Sequence, residues 1–150
     1  PYKISEDLVE AMARAGCRQV SLGFESGSRR MLHALNKQFG PEDVRRSSHL
    51  LSEHGIGQMG FLLLGGPGES PSTVEESVAF VDSLDLDLVK VTVGIRIYPR
   101  TKLAGLARLS GMISDEDSLL TPRFYLEPGL EGWVEEKVDA LVAEREHWQR

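Results

Sequence analysis

Three β-like runs constrain this chain most: QVSLGFE at 19–25, QMGFLLLG at 58–65 and LVKVTVG at 88–94. Their ends at Glu25, Gly65 and Gly94 lie 40 and 29 residues apart. Such gaps hold a helical crossover, which makes successive strands parallel and their connections right-handed. Helix-period stretches fill the gaps, at 28–36, 42–55 and 70–84. Others precede and follow, at 5–16, about 101–109 and 131–148. The predicted order is αβααβαβα, an α/β fold of parallel strands with helical crossovers. A complete eight-stranded barrel takes about 250 residues. A chain of 150 residues therefore fits a small open sheet or part of a barrel.

Local signals mark the helix ends. Ser5 precedes Glu6 and Asp7, and Gly16 closes the first helix, whose apolar face reads as Leu8, Met12 and Ala15. Pro41 opens the helix at 42–55 and Gly55 ends it. In 70–84, Pro71 suits the first turn, and Ser72 with Glu75 reads as a capping box. The run at 58–65 is nearly all apolar, the pattern of a strand buried on both faces. The other two strands alternate. Val20, Leu22 and Phe24, and likewise Val89, Val91 and Val93, are predicted to pack on helices. Ser21, Gly23, Glu25, Lys90 and Thr92 then share the opposite face. Polar residues inside a parallel sheet suggest water or a ligand there, which favours a barrel-like lumen with a site at the carboxyl ends of the strands.

The loops at those ends carry the candidate chemistry. GGPGES at 65–70 is almost bare of side chains, so a flat ligand can lie against its backbone. No Lys-Ser/Thr pair follows, as a nucleotide-triphosphate loop needs, and the glycine spacing is not that of a dinucleotide fold. By itself the loop is equally a tight strand-to-helix turn with a capping serine. GFESGS at 23–28 ends its strand with Glu25, either a partner for ribose hydroxyls or an amine, or a plain acidic helix cap. Lys37 lies just past a short helix, where a lysine ordinarily complements the dipole. Arg96 and Tyr98 continue the alternation of Lys90, Thr92 and Gly94, which puts them toward the lumen unless the strand bends.

Other residues offer less. The four histidines lack metal-like spacing and read as helix-surface residues. Cys17 is the only cysteine, which excludes an internal disulfide and a multi-cysteine metal site and fits a reducing cytoplasm. A net charge of -6 argues against nucleic acid and anionic membrane surfaces as partners, and no apolar run is long enough to span a bilayer. The segment 143–150 reads as a solvated helical end.

Together AGCRQVSLGFESGSRRMLHALNK, LLSEHGI, GFLLLGGPGES and RIYPRTKLA resemble, in order and spacing over residues 3–110, the second half of a radical S-adenosylmethionine (SAM) enzyme domain. The branch it looks most like holds cobalamin-dependent members and methylthiotransferases, and LLTPRFYLEP is similar to the cobalamin-type group. The resemblance implies the C-terminal half of a partial (β/α)6 TIM-like barrel plus a C-terminal helix. Residues 1–112 would be the second half of the barrel and 113–150 a loop and helical extension. It also implies a SAM-binding [4Fe–4S] cluster and, in this branch, cobalamin, with SAM cleaved to a 5′-deoxyadenosyl radical that takes hydrogen from a substrate. Glu25 and Ser26 match positions that contact the ribose or amino-acid part of SAM, and Lys37 matches a basic position that pairs with its carboxylate. Gly65, Gly66, Pro67, Gly68 and Glu69 match the motif beside the adenine.

Departures from the family are large. The CxxxCxxC cluster motif and the second-strand glycine-rich motif are absent, and Phe61 stands near where some relatives carry an acidic residue. The chain is thus expected to be part of a larger cytoplasmic enzyme, inactive and without a cluster by itself, with an edge strand open to self-association. Two other readings stay open: a phosphate- or nucleotide-binding β/α domain using GGPGES, and a non-catalytic interaction domain using the last helix.

Overall fold

The structure is a computed structural model describing residues 3–150; Pro1 and Tyr2, the start of the expected lead into the first helix, lie outside the described residues. The first half runs α1 (Glu6–Arg14), β1 (Gln19–Glu25), α2 (Arg29–Ala34), α3 (Pro41–Glu53), β2 (Gly57–Leu64) and α4 (Pro71–Asp82). The second runs β3 (Leu88–Val93), β4 (Ile95–Arg96), α5 (Lys102–Leu109), β5 (Phe124–Tyr125), α6 (Trp133–Glu144) and β6 (Trp148–Gln149). The main sheet has the order β1-β2-β3-β6, with every neighbouring pair parallel. The fold is the expected α/β arrangement of parallel strands and helical crossovers.

One continuous core lies on one side of this sheet. Leu22 and Phe24 of β1, Leu62 and Leu64 of β2 and Val89 and Val91 of β3 meet Val44 and Leu51 of α3, Val74 and Val78 of α4, and Val134 and Val138 of α6. The other side carries no such layer. There Met59, Phe61 and Leu63 of β2 are half-buried, flanked by exposed Ser21 on β1 and exposed Lys90 and Thr92 on β3. The expectation that 58–65 is buried on both faces is therefore corrected: burial alternates along β2. Parallel sheets are normally covered on both faces. A one-sided parallel sheet with one uncovered face fits a section of barrel wall.

Other expectations are corrected by particular contacts. In α1, Val9 is fully buried and Leu8 is 48% exposed, because the inward stripe runs through Val9, Met12 and Ala13. The cap of α4 is Ser70 with Thr73, not Ser72 with Glu75; Ser70 Oγ accepts from Thr73 N–H and Thr73 Oγ1 from Ser70 N–H. The last helix stops at Glu144, and the expected solvated end instead returns to the sheet, with Trp148 only 2% exposed beside Val89. Arg145 anchors this return: its Nε and Nη2 donate to the two Asp82 carboxylate oxygens at 3.0 and 2.9 Å, and its guanidinium lies 5.3 Å from the Trp148 ring.

A smaller cluster, Ile97, Ala104, Ala107, Ile113, Leu119 and Tyr125, forms around α5. It exists because Gly94 takes φ +78° and turns the chain out of the sheet. A left-handed backbone is open to glycine at no steric cost. β4 then pairs antiparallel with β5, Ile95 opposite Tyr125 and Arg96 opposite Phe124.

Candidate functional site

The carboxyl ends of β1 and β2 bring the GFESGS and GGPGES loops to one rim of the sheet. β1 loses its regular register between Leu22 and Glu25, and Glu25 has φ 69°. A left-handed carboxylate residue is uncommon and costs backbone energy, which marks this rim as a candidate site. After α2, Asn36 at φ 55° reverses the chain and delivers Lys37 to the same place. Lys37 Nζ lies 3.3 Å from Glu25 Oε1 and 3.5 Å from the Gly23 carbonyl, with both side chains about a quarter exposed (27 and 28%). An ammonium has three N–H donors, so these two acceptors leave one.

Ser26 has a different part. It is fully buried, its Oγ lies 2.9 Å from Ser77 Oγ on α4, and it accepts the Ser28 N–H at 3.1 Å. The Gly27 N–H donates to Ser77 Oγ at 3.2 Å. The hydroxyl matched to SAM contacts thus fastens the β1–α2 loop to α4.

GGPGES is a turn braced both from within and by distant residues. Glu69, 5% exposed, folds back so that its Oε2 accepts the N–H groups of both Gly65 and Gly66, the second at 3.1 Å. The Gly68 N–H donates to Glu127 Oε2 at 2.8 Å, and the Gly65 carbonyl accepts Glu127 N–H at 2.9 Å. Arg30 Nη2 donates to the Gly68 carbonyl at 2.8 Å. An anion site needs free donors, and here Gly65, Gly66 and Gly68 all donate to carboxylates. The phosphate-loop alternative gains no support from this geometry. What the turn presents at the rim is Pro67 and glycine backbone.

Burial pushes the Glu69 carboxyl above its ordinary 4.5, against the two glycine N–H bonds that pull it down. The sign follows from linkage: a raised folded-state value means the group stabilises the fold fully below about pH 4.5, and this contribution is lost as pH rises through the folded-state midpoint. An NMR titration following the Gly65 and Gly66 amides is expected to show a midpoint above 4.5. A midpoint at or below 4.5 would contradict the dominance of desolvation.

Arg96 lies on β4 and Tyr98 just after it, outside the main sheet. After the Gly94 bend both are exposed, with the Arg96 guanidinium 5.0 Å from the Tyr98 ring. The bend is the one that would end their alternation with Lys90 and Thr92: the strand they were to extend has left the main sheet. Sequence reasoning missed Arg30, Tyr125 and Glu127. No pattern in the sequence marks Phe124–Tyr125 as a strand or the GGPGES loop as the neighbour of the residues that follow it. Among the described residues no group of three His, Cys, Asp or Glu is placed to hold a metal, and no helix is long and apolar enough to cross a membrane. Cys17 is half-buried, its Sγ 3.6 Å from the Gln19 carbonyl. One thiol does not hold an iron–sulfur cluster.

A one-sided section of parallel β/α barrel with an ion pair and a glycine turn at its carboxyl rim defines the class. The sequence model of the radical SAM superfamily matches residues 1–81, and the chain belongs to that superfamily. An uncharacterized methyltransferase of Pyrococcus horikoshii is 30% identical over 66% of this chain and 21% of its own length. The ribosomal protein uS12 methylthiotransferase RimO of Pelotomaculum thermopropionicum is 27% identical over 80% of this chain and 27% of its own. The radical SAM methyltransferase TsrM of Kitasatospora setae, solved with cobalamin and a [4Fe–4S] cluster, is 31% identical over 67% of this chain and 19% of that one, with a TM-score of 0.62. A TsrM structure with tryptophan and a SAM analogue superposes on 95% of this chain and 34% of that one at TM-score 0.77 and 24% identity, a likeness of fold. The chain spans a fifth to about a quarter of the length of the curated relatives named here.

Proposed function

We propose that this chain supplies the second half of the SAM-binding barrel of a radical SAM methyltransferase or methylthiotransferase, and that the whole protein uses cobalamin as TsrM does. The observation that carries the reading is the Lys37–Glu25–Gly23 arrangement on the rim beside GGPGES. Bound SAM, together with a [4Fe–4S] cluster, supplies the radical chemistry of this superfamily. The residues here fit SAM and not the cluster. Lys37 is positioned to take the amino-acid carboxylate. Glu25 orients Lys37 and is the acceptor for hydroxyl groups. Gly65, Gly66, Pro67 and Gly68 form a side-chain-poor wall for the adenine, with Glu69 holding the Gly65 and Gly66 N–H groups inward. Half-buried Phe61 and Leu63 would exclude water from the lumen. Residues 1–150 by themselves hold no cluster and turn over no substrate in this reading.

The test uses the full-length protein, reconstituted anaerobically. Lys37→Ala is expected to raise the Kd for SAM about tenfold, the loss of one charge-assisted hydrogen bond, with iron content unchanged. The isolated stretch, treated alike, is expected to take up no stoichiometric iron. Unchanged SAM affinity in Lys37→Ala would remove that residue from the site, and a full-length protein that binds no SAM would remove the reading.

A further inference from the structure

We infer that Glu127 and Tyr125, far along the chain from the GGPGES turn, are positioning residues for adenosyl binding: they clasp the turn from outside and set the backbone that faces the ligand. This rests on the reading above. Glu127 touches both ends of the turn, its N–H on the Gly65 carbonyl at 2.9 Å and its Oε2 on the Gly68 N–H at 2.8 Å. Gly65 and Gly68 have φ +89° and +77°. The clasp therefore holds the two residues whose left-handed backbone makes the turn.

The clasp is itself held. Tyr125, 4% exposed in the cluster around α5, donates its hydroxyl to the same Glu127 Oε2 at 2.8 Å. Burial, the bond to Glu127 and that residue's charge push the phenol up to about 12, so it remains a donor across ordinary pH. Backbone pairing of β5 with β4 fixes the register that puts Glu127 opposite the turn, extended by Ile97 N–H on the Arg123 carbonyl at 2.8 Å. Leu126 completes the contact, since a Cβ on Gly65 would overlap its Cδ1. Glu69 closes the turn from within, and Glu127 holds it from outside. The rim facing the ligand is left to Pro67, which has no N–H.

Such an arrangement acts on the adenosyl part of a ligand and not on its amino-acid part, which lies with Lys37. The experiment compares Glu127→Ala, Glu127→Gln and Tyr125→Phe in the reconstituted full-length protein. Equilibrium dialysis measures SAM, S-adenosylhomocysteine and methionine, and hydrogen exchange follows the Gly68 amide. Glu127→Ala is expected to weaken both adenosyl ligands about tenfold, leave methionine binding and iron content unchanged, and speed Gly68 exchange. Tyr125→Phe should give a smaller loss of the same kind. Glu127→Gln keeps an acceptor for the Gly68 N–H and should restore most of the affinity. Wild-type SAM affinity in Glu127→Ala would overturn the inference. So would an equal loss of SAM, methionine and iron, because that marks a collapsed domain and not a reshaped loop. A wild-type protein that binds no SAM would fail at the underlying reading, and the clasp would fall with it.

Discussion

Phe24→Ala is expected to lower the unfolding free energy by about 4 kcal/mol. The ring is fully buried on the helix side of β1. It meets Phe80 of α4 edge-to-face, centroids 6.0 Å apart and planes at 81°. Such a pair contributes beyond its buried area. On β2 the ring rests over Gly60, where an added Cβ would come within 2.9 Å of Phe24 Cε1. β2 and α4 both meet this one side chain, so neither collapses into the space it would leave. Urea denaturation with an unchanged slope is the measurement, and a loss below about 1.5 kcal/mol would show that the site repacks.

Gly27→Val should cost about 3 kcal/mol by the opposite route, overpacking. A Cβ on Gly27 would overlap Phe80 Cβ and lie 2.6 and 2.7 Å from its Cγ and Cδ1. Phe80 Cβ is fixed by the backbone, so no rotamer change clears it, and the β1–α2 loop must lift from α4. Lifting it breaks the Gly27–Ser77 and Ser26–Ser77 contacts and shifts Glu25 relative to Lys37. The same variant should therefore lose stability and SAM affinity together. Full stability in urea, or lost stability with wild-type SAM binding, would separate the loop from the site.

The sequence made the strands legible because their signal is local. The limits 19–25 match β1, 58–65 differs from β2 by a residue at each end, and 88–94 differs from β3 by a residue at one end. Glu25 and Lys37 were brought together only by resemblance, since their pairing depends on a bulge in β1 and a reversal at Asn36 that no pattern encodes. Non-local choices were not legible. Leu8 and Val9 both sit in a helical pattern, and only the position of α3 decides which is buried. The run at 58–65 is apolar on both faces, so it cannot announce that one face has no cover. Residues 124–125 and 148–149 form strands only because distant backbone is there to pair with. Arg96 and Tyr98 were displaced by one glycine, whose φ a sequence does not print.

The return of Trp148 to the sheet also has a temporal meaning. Val89 pairs with Trp148, and Val89 N–H is bonded to the His147 carbonyl at 2.8 Å. On a growing chain, β3 emerges well before its outer neighbour, with α5, β5 and α6 still to be made. Long-range pairing of this kind is slow because loop closure precedes any reward. Until then the outer backbone of β3 stays open, a nascent edge able to capture another strand. Lys90 in mid-strand is then a gatekeeper, a charge that discourages the wrong neighbour during the wait.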